Sequence, residues 1–286
     1  MPIKLVPFAS KACEFSEWSI KTSQRSRLIE IIAFLYLRQE QNALRVITAL
    51  APKKQSSPGR VAANVIKKLT APDLEDLKLS KSTDPKIKKK AEDRIRTSII
   101  HRDGLLFQHI SWVVTKKAFP NGIMTSPHVR KADKGFDGFV MELDEFYESI
   151  ESVTLCEDKA SEDPRKLITQ SVWPEIEAII AGERDDEVLA ELVTLLKTVP
   201  SLDAESAVES MFWEESRQFR VSVATSEKNR DKTSGSYVKI MKGFEEKVGG
   251  ASKNRVGGVL AFDDVRTGLD QLANEVIKKV KELTDV

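Results

Sequence analysis

Three charged residues stand where charge is costly. Glu157 and Lys159 lie in SVTLCEDKAS beside the apolar Val153 and Leu155, and Asp137 lies in the apolar stretch KGFDGFVMEL. Side chains alternate along a strand, so Glu157 and Lys159 share one face while Cys156 and Asp158 take the other. Charges on such strands must be paired, metal-bound or at the open end of a sheet. A neighbouring strand carrying Asp137 can bring a second carboxylate near Glu157. Two carboxylates plus a backbone carbonyl make a hard oxygen donor set suited to Mg2+ or Mn2+. A nearby lysine can orient a water and offset charge developing on a phosphate. The blander pattern is an ion pair of Glu157 with Lys159 at a sheet edge, with Asp137 a turn or bulge residue between Gly135 and Gly138. Those glycines equally suit a backbone that must come close to a ligand.

The elements that must position these residues can be read from periodicity. Ser23 caps a predicted helix from Gln24, with Leu28, Ile31, Ile32, Leu35 and Tyr36 at three- and four-residue spacing, and the pattern runs to Leu50. A shorter helix is expected near 60–70, an irregular stretch over 71–85, and a helix from Ile87 to Phe119 broken near Gly104. After Pro120 the pattern changes to strands: the Asp137 stretch, then 152–160, with EFYESIE turning between them. Asp163-Pro164 signals a helix start, and the helix is expected over 165–181. Another follows near 185–198, then strands at 219–225 and 257–263 and an amphipathic helix at 265–283. The fold class is therefore α/β: an N-terminal helical region over 1–100, then an α/β domain over 101–286.

The arrangement resembles the PD-(D/E)xK nuclease superfamily, with its restriction-endonuclease-like mixed sheet flanked by helices. The resemblance lies in Asp137 of FDGFV, then Glu157-Asp158-Lys159 of TLCEDKAS on a neighbouring strand, with a helix following. It covers residues from about 100 to 265. It implies metal-dependent hydrolysis of phosphodiester bonds. Asp137, Glu157 and the carbonyl of Asp158 would bind Mg2+ or Mn2+, and Lys159 would position water or stabilise charge. Gln170 matches a glutamine that many members carry on the helix after the motif. Gln108 stands where many carry a glutamate, which weakens a two-metal version. The helical N-terminal part is similar to the nuclease subunits of Hachiman anti-phage systems, which work beside a helicase, although their motif reads more like GESK than CEDK. That implies DNA as substrate and a helicase-type protein partner.

Composition bounds the remaining classes. The chain has 286 residues, 45 Lys+Arg against 44 Asp+Glu, 41% apolar and 31% charged residues, the balance of a folded globular protein. Residues 1–134 carry a net +14 and residues 135–286 a net −13. Such polarity suits a polyanion on one face and a basic partner on the other. The Hachiman resemblance further implies the acidic half and the C-terminal helix as candidate partner surfaces. Lys88, Lys89, Lys90, Arg94 and Arg96 are the candidate contacts to nucleic-acid phosphates. No apolar run approaches the roughly 20 residues of a membrane span, and the N-terminal apolar stretch is too short for a signal peptide. Cys13 and Cys156 form no CxxC pattern, so a cytoplasmic location is expected. His101, His109 and His128 lack metal-pair spacing, and no GxSxG, Walker or GxGxxG motif occurs. Gly249-Gly250 and Gly257-Gly258 flank SKNR, read as a flexible hairpin or a phosphate-contacting loop. The four tryptophans are expected on helices, in the core. Two rivals remain: a non-catalytic binding subunit of the same fold, and a helical interaction protein docking through its acidic half.

Overall fold

The computed structural model describes residues 1–54, 59–127, 136–146, 149–199 and 217–284. Seven strands form one mixed sheet: β1 (Ile3–Phe8), β2 (Glu14–Ile20), β3 (Ile123–Met124), β4 (Gly138–Leu143), β5 (Ile150–Ala160), β6 (Arg217–Ser226) and β7 (Arg255–Phe262). Their spatial order is β1-β2-β7-β6-β5-β4-β3. The inner strands β2, β7, β6 and β5 run parallel, and antiparallel pairs close both edges. The class is α/β, as the periodicity predicts.

Helices cover both faces. On one face α1 (Arg25–Tyr36), α2 (Glu40–Ile47), α3 (Gly59–Leu69), the 34-residue α5 (Pro85–Ala118) and α10 (Val265–Thr284) pack a core that includes Leu28, Ile110, Ala224 and Val276. Short α4 (Leu74–Leu79) lies against α5. On the other face α6 (Pro164–Leu167), α7 (Trp173–Ile180), α8 (Asp185–Leu196) and α9 (Phe244–Val248) bury Ile176, Leu192 and Phe244 against Leu155, Phe219 and Val221. Burying a large apolar side chain contributes about 1.5–3 kcal/mol, so these two layers dominate the stability of the sheet they sandwich.

Several expectations need correction. The expected helical region over 1–100 begins instead with β1 and β2, and β2 pairs with β7 along Glu14↔Val256 to Trp18↔Leu260. Trp18 is therefore a strand residue. The glycines at 257 and 258 serve this packing rather than a loop: a Cβ on Gly258 would fall inside the Trp18 indole, and one on Gly257 would press on Cys13 and Phe15. Arg255 ties the preceding SKNR turn down, its Nε donating to the Ala12 carbonyl at 2.8 Å and its Nη1 to that of Gly250 at 3.0 Å.

The single helix expected from Gln24 to Leu50 is two helices. Arg38 adopts φ +60°, and the Gln39 amide donates back to Phe34 at 2.8 Å, a left-handed helix stop made without glycine. The stretch expected to be irregular holds α4, capped by Asp73, whose carboxylate accepts from the Glu75 amide at 2.9 Å. No break occurs at Gly104. Glycine costs a helix about 1 kcal/mol, and burial of Leu105, Leu106 and Phe107 beside it outweighs that. The helix expected over 165–181 is α6 and α7 joined by a π-helical stretch, Ile168–Val172. Pro174 has no N–H for the Gln170 carbonyl and its ring needs room there, which a wider turn provides. His128, Trp213, Gly135 and part of the EFYESIE turn lie outside the described residues.

Candidate functional site

The site sits where β4 stops and β5 continues. The antiparallel ladder ends at Gly138↔Cys156, and among the described residues the next residues of β5 have no strand partner on that side. Asp137, one residue before β4, supplies the partner: its Oδ2 accepts the Asp158 amide at 2.8 Å. Its Oδ1 accepts from Gln108 Nε2, reaching across from α5. A carboxylate so held is fixed in direction, which a ligand of fixed geometry requires.

Glu157 and Lys159 follow on one face of β5, opposite Val221 and Val223 of β6. Lys159 Nζ forms an ion pair with Glu157 Oε1 and lies 3.7 Å from Asp137 Oδ2, so one ammonium joins both carboxylates. The side chains are only 13% (Asp137), 12% (Glu157) and 26% (Lys159) exposed. The aspartate, glutamate and lysine singled out from the sequence thus converge.

Charge in this cluster is unbalanced towards the negative. Burial, and then Asp137, push the Glu157 carboxyl well above the ordinary glutamate range, with Lys159 opposing and Glu175 adding to the rise. Burial works against the Lys159 ammonium, but Glu157 and Asp137 outweigh it and hold its pKa above the ordinary lysine value. Acids sharing one cation leave a deficit of positive charge, and a proton or a metal cation relieves it.

Asp158 points to the opposite face, as alternation requires, and enters a buried polar layer between β5, β6 and α5. Burial raises its pKa to about 7, opposed by the Arg220 guanidinium and by hydrogen bonds from Ser111 and Ser222. Arg220 lies 5.2 Å above the Trp18 ring. The side chain of Asp158 is therefore remote in direction from Glu157 and Lys159. Its backbone amide donates to Asp137, and on the far side of the strand Asp158 lines a small cavity with Asp137 and Gln108.

Other expected residues lie elsewhere. Gln170 is exposed on the π-helical stretch and takes no part in the hydrogen bonds of the site among the described residues. Glu175 of α7 comes close instead, lining with Glu157 and Arg184 a small cavity of about 10 Å³. A glutamate in the first turn of a helix is commonplace, so nothing in the sequence marks Glu175 out. Lys88, Lys89, Lys90, Arg94 and Arg96 are exposed near the start of α5. Three of them face acids: Lys88 with Glu92 at 3.9 Å, Arg94 with Asp76 at 2.7 Å and Arg96 with Asp93 at 2.8 Å. At 1.5 Å per residue, Lys88 is about 30 Å along the helix from Gln108. The basic cluster is not part of the site.

Asp137 and Glu157 are the carboxylates of this cluster that could hold a hard cation. Asp137 and Glu157 converge on one ammonium in a cluster short of positive charge, which fits Mg2+ or Mn2+ held by two carboxylates with the remaining positions taken by water or substrate. Among the described residues, no three His, Cys, Asp or Glu side chains come together as a metal-holding group. Comparison of the chain with family models, with curated proteins and with solved structures found no match. No helix among the described residues is long and apolar enough to cross a membrane.

Proposed function

We propose that the protein is a metal-dependent nuclease hydrolysing phosphodiester bonds, with DNA as the favoured substrate. The observation that carries this reading is the convergence of Asp137, Glu157 and Lys159 at the end of the β4–β5 ladder. Asp137, Glu157 and the Asp158 carbonyl would hold Mg2+ or Mn2+, which when bound supplies a Lewis acid for the scissile phosphate. Gln108 and the Asp158 amide fix the Asp137 carboxylate. Lys159, kept charged by the two acids, orients an attacking water and offsets charge growing on the phosphate oxygens. Glu157 restrains that ammonium from the other side. A helix, an antiparallel pair bearing the acids, further helices and then a parallel strand is an order that supports the restriction-endonuclease-like reading of the sheet. A helicase-type partner and a role in anti-phage defence rest on the resemblance to Hachiman nuclease subunits alone, and the N-terminal part that carries it begins here with two strands.

A second reading has its own observation. Both Asp137 oxygens are engaged by protein donors, and Lys159 already closes on Glu157. The same geometry suits a non-catalytic binding subunit in which Asp137 merely caps β5. Cleavage of plasmid and single-stranded DNA in Mg2+, Mn2+ or EDTA separates the two. Metal-dependent nicking abolished by EDTA supports the nuclease. Absence of cleavage in every metal, alone and with any co-purifying partner, supports the binding subunit.

A further inference from the structure

A cleft of about 770 Å³ opens on the same face of the sheet as Glu157, towards the opposite end of the strands. Arg217 pairs with Val153 and Val221 with Glu157, so Arg217 and Glu157 project to one face four residues apart, about 13 Å along the strand. Arg217, Lys253, Asn254 and Asp185 line the cleft, with Ile179 and Phe219 as its apolar wall. Ile179 and Phe219 also line the small cavity that reaches Glu157, so one continuous wall joins the two places.

Two polar groups here are left without partners among the described residues. Arg217 Nε is buried and undonated, and Asn254, only 9% exposed, has a buried Oδ1 that accepts no hydrogen bond. Each is a cost that folding carries unless something completes it. The two demands differ in kind. Arg217 and the exposed Lys253 call for an anion, while Asn254 Oδ1 and the Asp185 carboxylate call for hydroxyl or amine donors. The apolar wall suits a flat ring. Bare phosphate answers only the first demand, whereas a phosphorylated nucleoside answers all three, and the volume matches a small-molecule site.

We propose that this cleft binds a nucleotide unit, its phosphate on Arg217 and Lys253, its sugar and base donors facing Asp185 and Asn254. The unit can come as a free nucleoside phosphate or as one residue of a strand. Its binding does not depend on the hydrolysis proposed above.

The test is calorimetric titration of the full chain in EDTA with AMP and with inorganic phosphate, beside anisotropy of a labelled oligothymidylate. Saturable binding of AMP identifies the free nucleotide, and binding of the oligonucleotide alone identifies a strand. In either case Lys253→Ala and Arg217→Ala should weaken the interaction about tenfold or more. Asn254→Ala should weaken AMP and leave phosphate unaffected. Lys253 is exposed, so its variant folds even where a buried change does not. No binding of either probe overturns the proposal, as does binding indifferent to both basic substitutions, or phosphate binding as tightly as AMP. Because metal is absent throughout, the outcome is read independently of cleavage.

Discussion

At the scale of single residues, the site was readable because charge broke an apolar alternation. Glu157 and Lys159 stand out beside Val153 and Leu155, and strand geometry alone puts them on one face, away from Asp158. What the spacing does not encode is which oxygen is held by what. The Gln108 and Asp158 amide contacts to Asp137 are made across 29 and 21 residues of chain. Glu175 is hidden for the same reason, and the exposed position of Gln170 belongs to a π-helical stretch that periodicity does not announce. Two predictions belong here. Asp137→Asn should weaken Mn2+ binding about tenfold or more, measured by calorimetry, since one of two carboxylates is lost. Asp158 is protonated more readily in the folded chain, at about pH 7, than unfolded. Between its unfolded and folded pKa values the native state binds the extra proton, so stability falls as pH rises towards 7 and stays lower above it. Asp158→Asn should remove that slope and raise stability at pH 8 by about 1–3 kcal/mol in urea unfolding.

At the scale of elements, strong periodicity carried most of the fold. β5, β6, β7 and α10 fall within two residues of where alternation and amphipathicity predict them. The failures share a cause, which is that the deciding interaction is distant. β1 and β2 are strands because β7 offers an edge and two glycines that admit Trp18 and Phe15, and nothing within residues 1–20 says so. Arg38 ends α1 in a left-handed conformation that glycine usually announces. Gly104 fails to end α5 because its neighbours are buried and anchored. That anchor is ionic: Arg102 and Asp103 are buried on α5, and Asp103 Oδ2 accepts from Arg266 of α10 at 2.7 Å while Oδ1 accepts from Arg102 at 2.8 Å. Arg102 also pairs with Asp270 of α10 and donates to the Ala71 carbonyl, and Arg266 also faces Glu162, so both guanidinium groups keep a partner when Asp103 is removed. Asp103→Ala should therefore cost about 1–3 kcal/mol in chemical denaturation. A loss under about 1 kcal/mol would show that the Asp103 bridge adds little to the other contacts between α5 and α10.

At the scale of the whole molecule, the charge division seen in the sequence does not coincide with two separate bodies, since β2 of the basic half lies beside β7 of the acidic half. Charge must be judged by place. The start of α5 is basic, but Lys88, Arg94 and Arg96 already face acids, leaving Lys89 and Lys90 as the stronger candidates for phosphate contact. If they meet DNA, Lys89→Gln with Lys90→Gln should reduce the slope of log affinity against log salt by about two, from near 0.9 per phosphate. An unchanged slope would move the DNA-binding surface elsewhere. The central claim is narrower, that Asp137, Glu157 and Lys159 form a hydrolytic site. Its most direct test is the rate of DNA cleavage in Mg2+ by the wild type and by Glu157→Gln, with matched circular dichroism and DNA affinity. The expected result is cleavage by the wild type and a loss of about a hundredfold or more in the variant, with fold and binding retained. Equal cleavage by the two proteins would contradict it.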